Sequence, residues 1–304
     1  MSVGPDATSI TGPGAGFGYR RNRLFAVLGD FARSQPLGAA GACVLTVVVL
    51  AAIFAPYVAP YPPFENHPKS ALKGPSAEFW LGTDRFGRDT FSRAVYGARV
   101  SLQVGVLATL VAVLISTSLG VTSAYFRGIW DYLVGRCVEV VQSIPFLVLI
   151  LPLTIIFGVG LYSVAVVLGA LIGIVSSRVL RGATLSVMAQ PYVEVARAMG
   201  CSDLRIIRHH LLPNVFPLVI VIASINVGSV ILAEAGLSFL GYGVNTTTNV
   251  SWGAMLSGDG RRFMVVQPWL FIAPTAALAI VIFSINMLGD ALRDKLDPRL
   301  RGVR

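Results

Sequence analysis

Five stretches of this chain contain no Asp, Glu, Lys or Arg: 34–64, 100–126, 140–177, 209–233 and 263–289. A helix needs about 20 apolar residues, at ~1.5 Å each, to cross a hydrocarbon layer of roughly 30 Å. Every run is long enough. The run 140–177 holds 38 residues, enough for two crossings, and "FGVGLYS" (157–163) offers a hairpin tip between them. Six spans follow, near 36–58, 100–125, 138–157, 161–181, 214–239 and 267–289. A buried soluble core accounts for one or two such runs, not five. Composition agrees, with 55% hydrophobic and only 13% charged residues and a mean hydropathy of +0.73, outside the range of soluble domains. The expected fold is an all-α polytopic membrane protein of six transmembrane helices.

Orientation follows from the basic residues that flank the spans. With the N-terminus inside, 16 of the 24 Lys and Arg residues fall on inner segments. The other eight lie in 64–99 and 259–262, where Glu65, Glu78, Asp84, Asp89 and Asp259 offset them. An even number of spans places both termini in the cytoplasm. The net charge of +9 then reports topology rather than a nucleic-acid surface, and some arginines are placed to meet anionic lipid headgroups. Cys43, Cys137 and Cys201 fall in separate segments without metal-type spacing. No apolar stretch opens the chain, so no cleavable signal peptide is expected.

The chain divides into a cytoplasmic tail with a basic amphipathic segment (1–33), a first span (34–60) and an extracytoplasmic loop with an interfacial helix (61–99). A transmembrane core (100–290) and a cytoplasmic tail (291–304) complete it. In "RDTFSRAVYGARVSL" (88–102) Phe91, Val95, Ala98 and Leu102 recur at helical spacing among Arg88, Arg93 and Arg99, which reads as a separate amphipathic helix at the outer interface. Trp80, Tyr96, Trp252 and Trp269 read as interfacial anchors. Gly105, Gly120, Gly169 and Gly173 suit close helix packing. Pro145 and Pro152 are expected to kink the third span, and Pro274 the sixth.

Between the fourth and fifth spans lies the most polar internal stretch, "PYVEVARAMGCSDLRIIRHHLLP" (191–213). Pro191 and Glu194 suit the first turn of a helix. Gly200 can end it in the left-handed conformation, and Ser202 can cap a second helix. Leu204, Ile207 and Leu211 then share a face. Both helices are far shorter than the roughly 12–15 residues at which isolated helices become marginal in water. They must therefore dock onto something.

Glu194, Ala196, Gly200, Leu212 and Pro213 stand in the register of the EAA loop, Glu-Ala-Ala, three residues, Gly, nine residues, Ile-x-Leu-Pro, with departures at Val195 and His210. "LGTDRFGRDTFSR" (81–93), "EAGLSFLGYG" (234–243), "SWGAML" (251–256) and "NMLGDALRDKLDPRL" (286–300) accompany it in order. Together, from about residue 20 to 300, these stretches resemble the C-type permease subunit of bacterial dipeptide and oligopeptide ABC importers, binding-protein-dependent transport systems of the cytoplasmic membrane.

The resemblance implies a type I ABC importer permease fold, with 191–213 as a coupling loop that seats in a groove of a cytoplasmic ATPase. Ala196, Ala198 and Gly200 would allow close approach; Glu194, Arg197 and Arg205 would make contacts at the edge; Ser202, Leu212 and Pro213 would shape the loop. Implied partners are a second homologous permease subunit, two ATPase subunits or one fused ATPase, an extracytoplasmic peptide-binding protein and membrane lipid, with no nucleic acid. Import of a nickel chelate or glutathione by the same machinery is the alternative. The chain has no G-x-x-x-x-G-K-[ST], HExxH or GxSxG motif. It is accordingly expected to be no enzyme, to bind no metal and to carry no cofactor, ATP and Mg being held by the partners. Glu234 and Ser238 are candidates to face a gate or substrate, since ionisable groups at membrane depth are functional candidates by default. Asp84, Arg85, Arg88 and Asp89 are candidates to contact the receptor.

Overall fold

A computed structural model describes residues 29–244 and 249–296. Expectations for the rest of the two tails lie outside the described residues. Among the described residues, five helices are long and apolar enough to cross a membrane: α1 (Pro36–Ile53), α3 (Thr90–Phe126), α6 (Leu161–Met188), α9 (Leu212–Phe239) and α11 (Trp269–Leu296). Shorter elements are α2 (Ala55–Val58), α4 (Gly128–Ser143), α5 (Phe146–Phe157), α7 (Pro191–Ala198), α8 (Asp203–Ile206) and α10 (Trp252–Met255).

The sixth crossing follows from packing. Gly169 on α6 faces Ala108 and Val111 on α3, Gly173 faces Ala112 and Ile115, and Gly120 faces Ser177 and Leu180. Residue numbers rise together along this seam, so α3 and α6 are parallel. The α4–α5 pair between them must therefore carry the chain back across the bundle. It does so bent, with 102° between its two helices. The third span is thus not one kinked helix. Pro145 sits at the break, where its ring disfavours a helical conformation for Ile144, whereas Pro152 lies inside α5 and Pro274 inside α11 without interrupting either. At 12 residues, about 18 Å, α5 covers only part of the bilayer. Asp131 on α4 receives both Arg181 Nε (2.5 Å) and Nη2 (2.6 Å) from α6, a bidentate pair that fixes the near end of the detour.

The last helix runs antiparallel to both α1 and α9. Gly38 and Gly41 of α1 lie against Ala291 and Ser284 of α11, and Gly289 of α11 lies beside Ser224 of α9. Lys295 reaches Asp30 at 3.3 Å, so both described ends meet at the end of the bundle that carries 191–211.

The start of α3 departs from the sequence reading. Residues 88–102 form no separate interfacial helix; residues 90–126 form one helix of 37 residues. Asp89 begins it by accepting from Ser92 N at 2.8 Å and Ser92 Oγ at 2.6 Å, and no proline interrupts it. Arg93 donates to Pro63 O at 3.0 Å, and Arg99 donates to Ala52 O and Ile53 O at 3.0 and 2.9 Å, where a cation meets the negative end of α1. Residues 291–296, assigned to a tail, continue α11.

The seam yields a test. A side chain at Gly169 would place its first carbon 2.5 Å from Ala108 O and 2.7 Å from Val111 Cβ. Gly169→Leu is expected to destabilise the purified chain by at least ~1–3 kcal/mol, read as earlier loss of the monodisperse peak on heating. Gly135→Leu, a position with open space around it, should leave the profile unchanged.

Candidate functional site

The segment 191–211 docks, as its helix lengths require. Val193 of α7, with Ile206 and Leu211, is buried against Val121 and Tyr125 at the end of α3 and Val215 at the start of α9, and Ala196 is buried as well. Tyr125 donates its hydroxyl to Asp203 at 2.6 Å, and the Arg197 guanidinium stacks 5.7 Å from the same ring. Tyr125 was invisible as a site residue because its partners lie about 80 positions away in the chain. Gly200 takes φ +76° and closes a double turn: Gly200 N donates to Arg197 O at 3.0 Å and Cys201 N donates to Ala196 O at 3.1 Å. Facing outward are Glu194, Arg197, Ala198, Arg205 and an apolar crest of Val195, Met199 and Leu204, the last two 78% and 73% exposed.

Three details correct the sequence reading. Ser202 holds the cap position of α8, yet its hydroxyl makes no capping bond. Leu204 points out while Ile206 and Leu211 point in, a spacing of five set by a π turn over Ile207–Leu211. Through that turn the helix runs unbroken from Asp203 to Phe239, so Pro213 does not separate loop from span. The wider turn gives the Pro213 ring the room it would lack against the carbonyl four residues back. Asn214 Nδ2 donates to His210 O at 2.6 Å, four residues back on the same helix.

At the opposite end, Glu234 is fully buried. Its Oε1 accepts from Ser238 Oγ at 2.6 Å and from Ser251 Oγ at 2.9 Å. Ser238 Oγ also accepts from Val244 N at 3.3 Å, and Ser251 Oγ accepts from Ala254 N at 3.2 Å. The carboxylate thereby ties α9 to the 249–260 segment, which threads back into the bundle. Gly253 is required there, since a side chain would begin 2.5 Å from Ala235 Cα. Trp252 is likewise no interfacial anchor: it is buried, donating through Nε1 to Ala94 O at 2.9 Å. In this conformation Glu234 and Ser238 face these protein partners rather than a cavity.

The four residues singled out in 84–89 separate into two groups. Asp89 is buried and committed to starting α3, out of reach of any external protein. Asp84 is also buried, accepting from Phe86 N, Arg88 N and Arg88 Nε at 2.9, 3.0 and 2.5 Å. Arg85, its side chain 47% exposed, pairs with Asp259 at 3.0 Å. Burial raises the Asp259 carboxyl above its ordinary pKa, with Arg85 opposing the shift.

Glu234 supplies a prediction. Gln keeps an oxygen that accepts from both serines, so Glu234→Gln is expected to melt within a degree or two of wild type. Glu234→Ala orphans buried hydroxyls and should cost ~2–4 kcal/mol, seen in the thermal unfolding of the purified complex.

A likeness to solved structures joins this geometry: two inward-facing forms of the methionine ABC transporter MetNI align with TM-scores of 0.57 and 0.54 at 19% and 21% identity. They cover 68% and 67% of this chain and 97% and 96% of the other, and they show the fold alone. In sequence, the chain is 37% identical over 269 residues to the dipeptide transport system permease protein DppC of Alkalihalophilus pseudofirmus, covering 88% of each. It is 35% identical over 271 residues to the glutathione transport system permease protein GsiD of Escherichia coli, covering 89% of each. Residues 32–75 match the N-terminal transmembrane domain of oligopeptide transport permease C. Residues 116–302 match a second family model, and the chain belongs to that family, the inner membrane components of binding-protein-dependent transport systems.

Proposed function

We propose that this chain is one permease half of an ATP-driven importer of di- or oligopeptides, and that residues 191–213 receive force from a cytoplasmic ATPase. The observation that carries the reading is the docked helix pair, hinged at Gly200, with Met199 and Leu204 exposed between Glu194, Arg197 and Arg205. A soluble loop would gain nothing by presenting such a crest. An ATPase groove would bury it, with charge-assisted bonds at the rim. Small Ala198 and Gly200 permit close seating. ATP and Mg would be bound by two ATPase subunits or a fused one, and this chain would hold no cofactor. A single half cannot enclose a pathway, so a second, homologous permease completes it. An extracytoplasmic peptide-binding protein would deliver substrate to the end that carries Arg85 and Asp259. Closure of the ATPases would then rock the bundle from inward- to outward-facing. The relative that carries glutathione in its name supports a second reading, import of glutathione or another non-peptide ligand such as a nickel chelate.

This reading places 191–211, and both described chain ends, in the cytoplasm. A membrane-impermeant thiol reagent applied to inverted vesicles should label Ser34→Cys and Ser202→Cys but not Ser257→Cys, and intact cells should give the reverse. In the reconstituted transporter, Gly200→Trp should lower peptide-stimulated ATP hydrolysis on the order of tenfold, within the usual range of coupling between distant sites, with the bundle still folded. Unaltered stimulation would remove the ATPase assignment. Di- and oligopeptides, glutathione and nickel chelates compared in the same assay separate the two substrate readings.

A further inference from the structure

At the end of the bundle opposite 191–211, a cavity of about 450 Å³ opens between the 84–93 stretch and the 254–260 stretch. Arg85, Arg88 and Arg93 line it together with Asp84 and Asp259. Arg85 lies 3.0 Å from Asp259, Arg88 lies 2.5 Å from Asp84 and 4.0 Å from Asp259, and Arg93 lies 3.8 Å from Asp84. Among the residues that line the cavity, three guanidinium groups thus face two carboxylates, an excess of one positive charge. Two of the cations are held in place, since Arg85 and Arg88 both stack on Phe86, at 4.5 and 4.6 Å. Thr90 also lines the cavity; it is 1% exposed, and its hydroxyl has no hydrogen-bond partner. A buried hydroxyl left unpaired is costly unless something else bonds it.

We propose that this cavity is a carboxylate-binding site, in which a carboxylate entering from the open side meets the exposed face of Arg85 and takes the Thr90 hydroxyl. The chemistry favours a monoanion, because one charge is in excess and guanidinium matches a carboxylate in a fork. Two sources share that chemistry: the C-terminal carboxylate of a peptide in transit, and an Asp or Glu side chain of a docked binding protein. Either one rests on the importer reading. The anion preference itself does not, and is tested without reference to sidedness or transport.

The test uses the assembled transporter in detergent, with Cys43, Cys137 and Cys201 replaced by Ser and a single cysteine introduced as Ser257→Cys at the cavity wall. Ser34→Cys serves as the exposed reference. An anionic sulfonatoethyl methanethiosulfonate and a cationic trimethylammonioethyl analogue are compared. Relative to the reference, the anionic reagent should be favoured at position 257 on the order of tenfold, as a local potential of one to a few kT implies. Arg85→Gln should abolish most of that preference. N-acetylalanine, a monoanionic carboxylate, should slow modification and the neutral N-acetylalaninamide should not, and Thr90→Val should weaken that protection several-fold. Protection by a free dipeptide, but not by its C-terminal amide, assigns the carboxylate to substrate; protection by the peptide-free binding protein assigns it to a receptor side chain. Equal rates for the two reagents, equal protection by acid and amide, unchanged protection in Thr90→Val, or protection by neither dipeptide nor binding protein would overturn the proposal.

Discussion

The close parallel seam between α3 and α6 governs the rest of the structure. In a bilayer no hydrophobic effect draws helices together, so association depends on how closely their backbones approach. Gly120, Gly169 and Gly173 bring side chains of one helix against backbone of the other. Because the two helices run in the same direction, the intervening chain must return across the bundle. That return uses two helices at 102° to each other, the second only 12 residues long. The bend at Pro145, the Asp131–Arg181 pair and the placement of 191–211 beside the end of α3 all follow from this one packing choice.

Polar groups near the membrane are handled by local assignment. Arg99 occupies the terminal carbonyls of α1, and Glu234 takes two serine hydroxyls. Asn214 donates to the His210 carbonyl. The first two arrangements partner groups that apolar surroundings would otherwise penalise by several kcal/mol, roughly, and each joins two segments distant in the chain, although Glu234 Oε2 keeps no hydrogen-bond partner. The same side chains therefore solvate and fasten.

Much of this was legible in the residues. Charge-free runs mark crossings because the hydrocarbon thickness sets a length. The tip at 157–163, the small-residue pair Gly169 and Gly173, and the left-handed Gly200 were readable from local rules. What escaped depended on distant partners. The arginines that made 88–102 resemble an interfacial helix are satisfied by carbonyls at Pro63, Ala52 and Ile53, which no periodicity reveals. Asp89 and Trp252 looked exposed by residue type and are buried by the return of 249–260 and the start of α3. The inward pairing of Ile206 with Leu211 needed an extra residue in the turn, a choice made by docking rather than propensity.

The unbroken helix from Asp203 to Phe239 has a mechanical corollary. Its 37 residues make a strut of about 55 Å, stiffer than any arrangement in which a proline separated loop from span. On the proposed reading, torque applied near Arg205 would reach the turn that holds Glu234, at the opposite end of the bundle, through one continuous helix. Four residues, Met199 to Ser202, lie between that strut and α7, and the left-handed Gly200 among them would be the shared pivot if the two halves of the inner segment tilt.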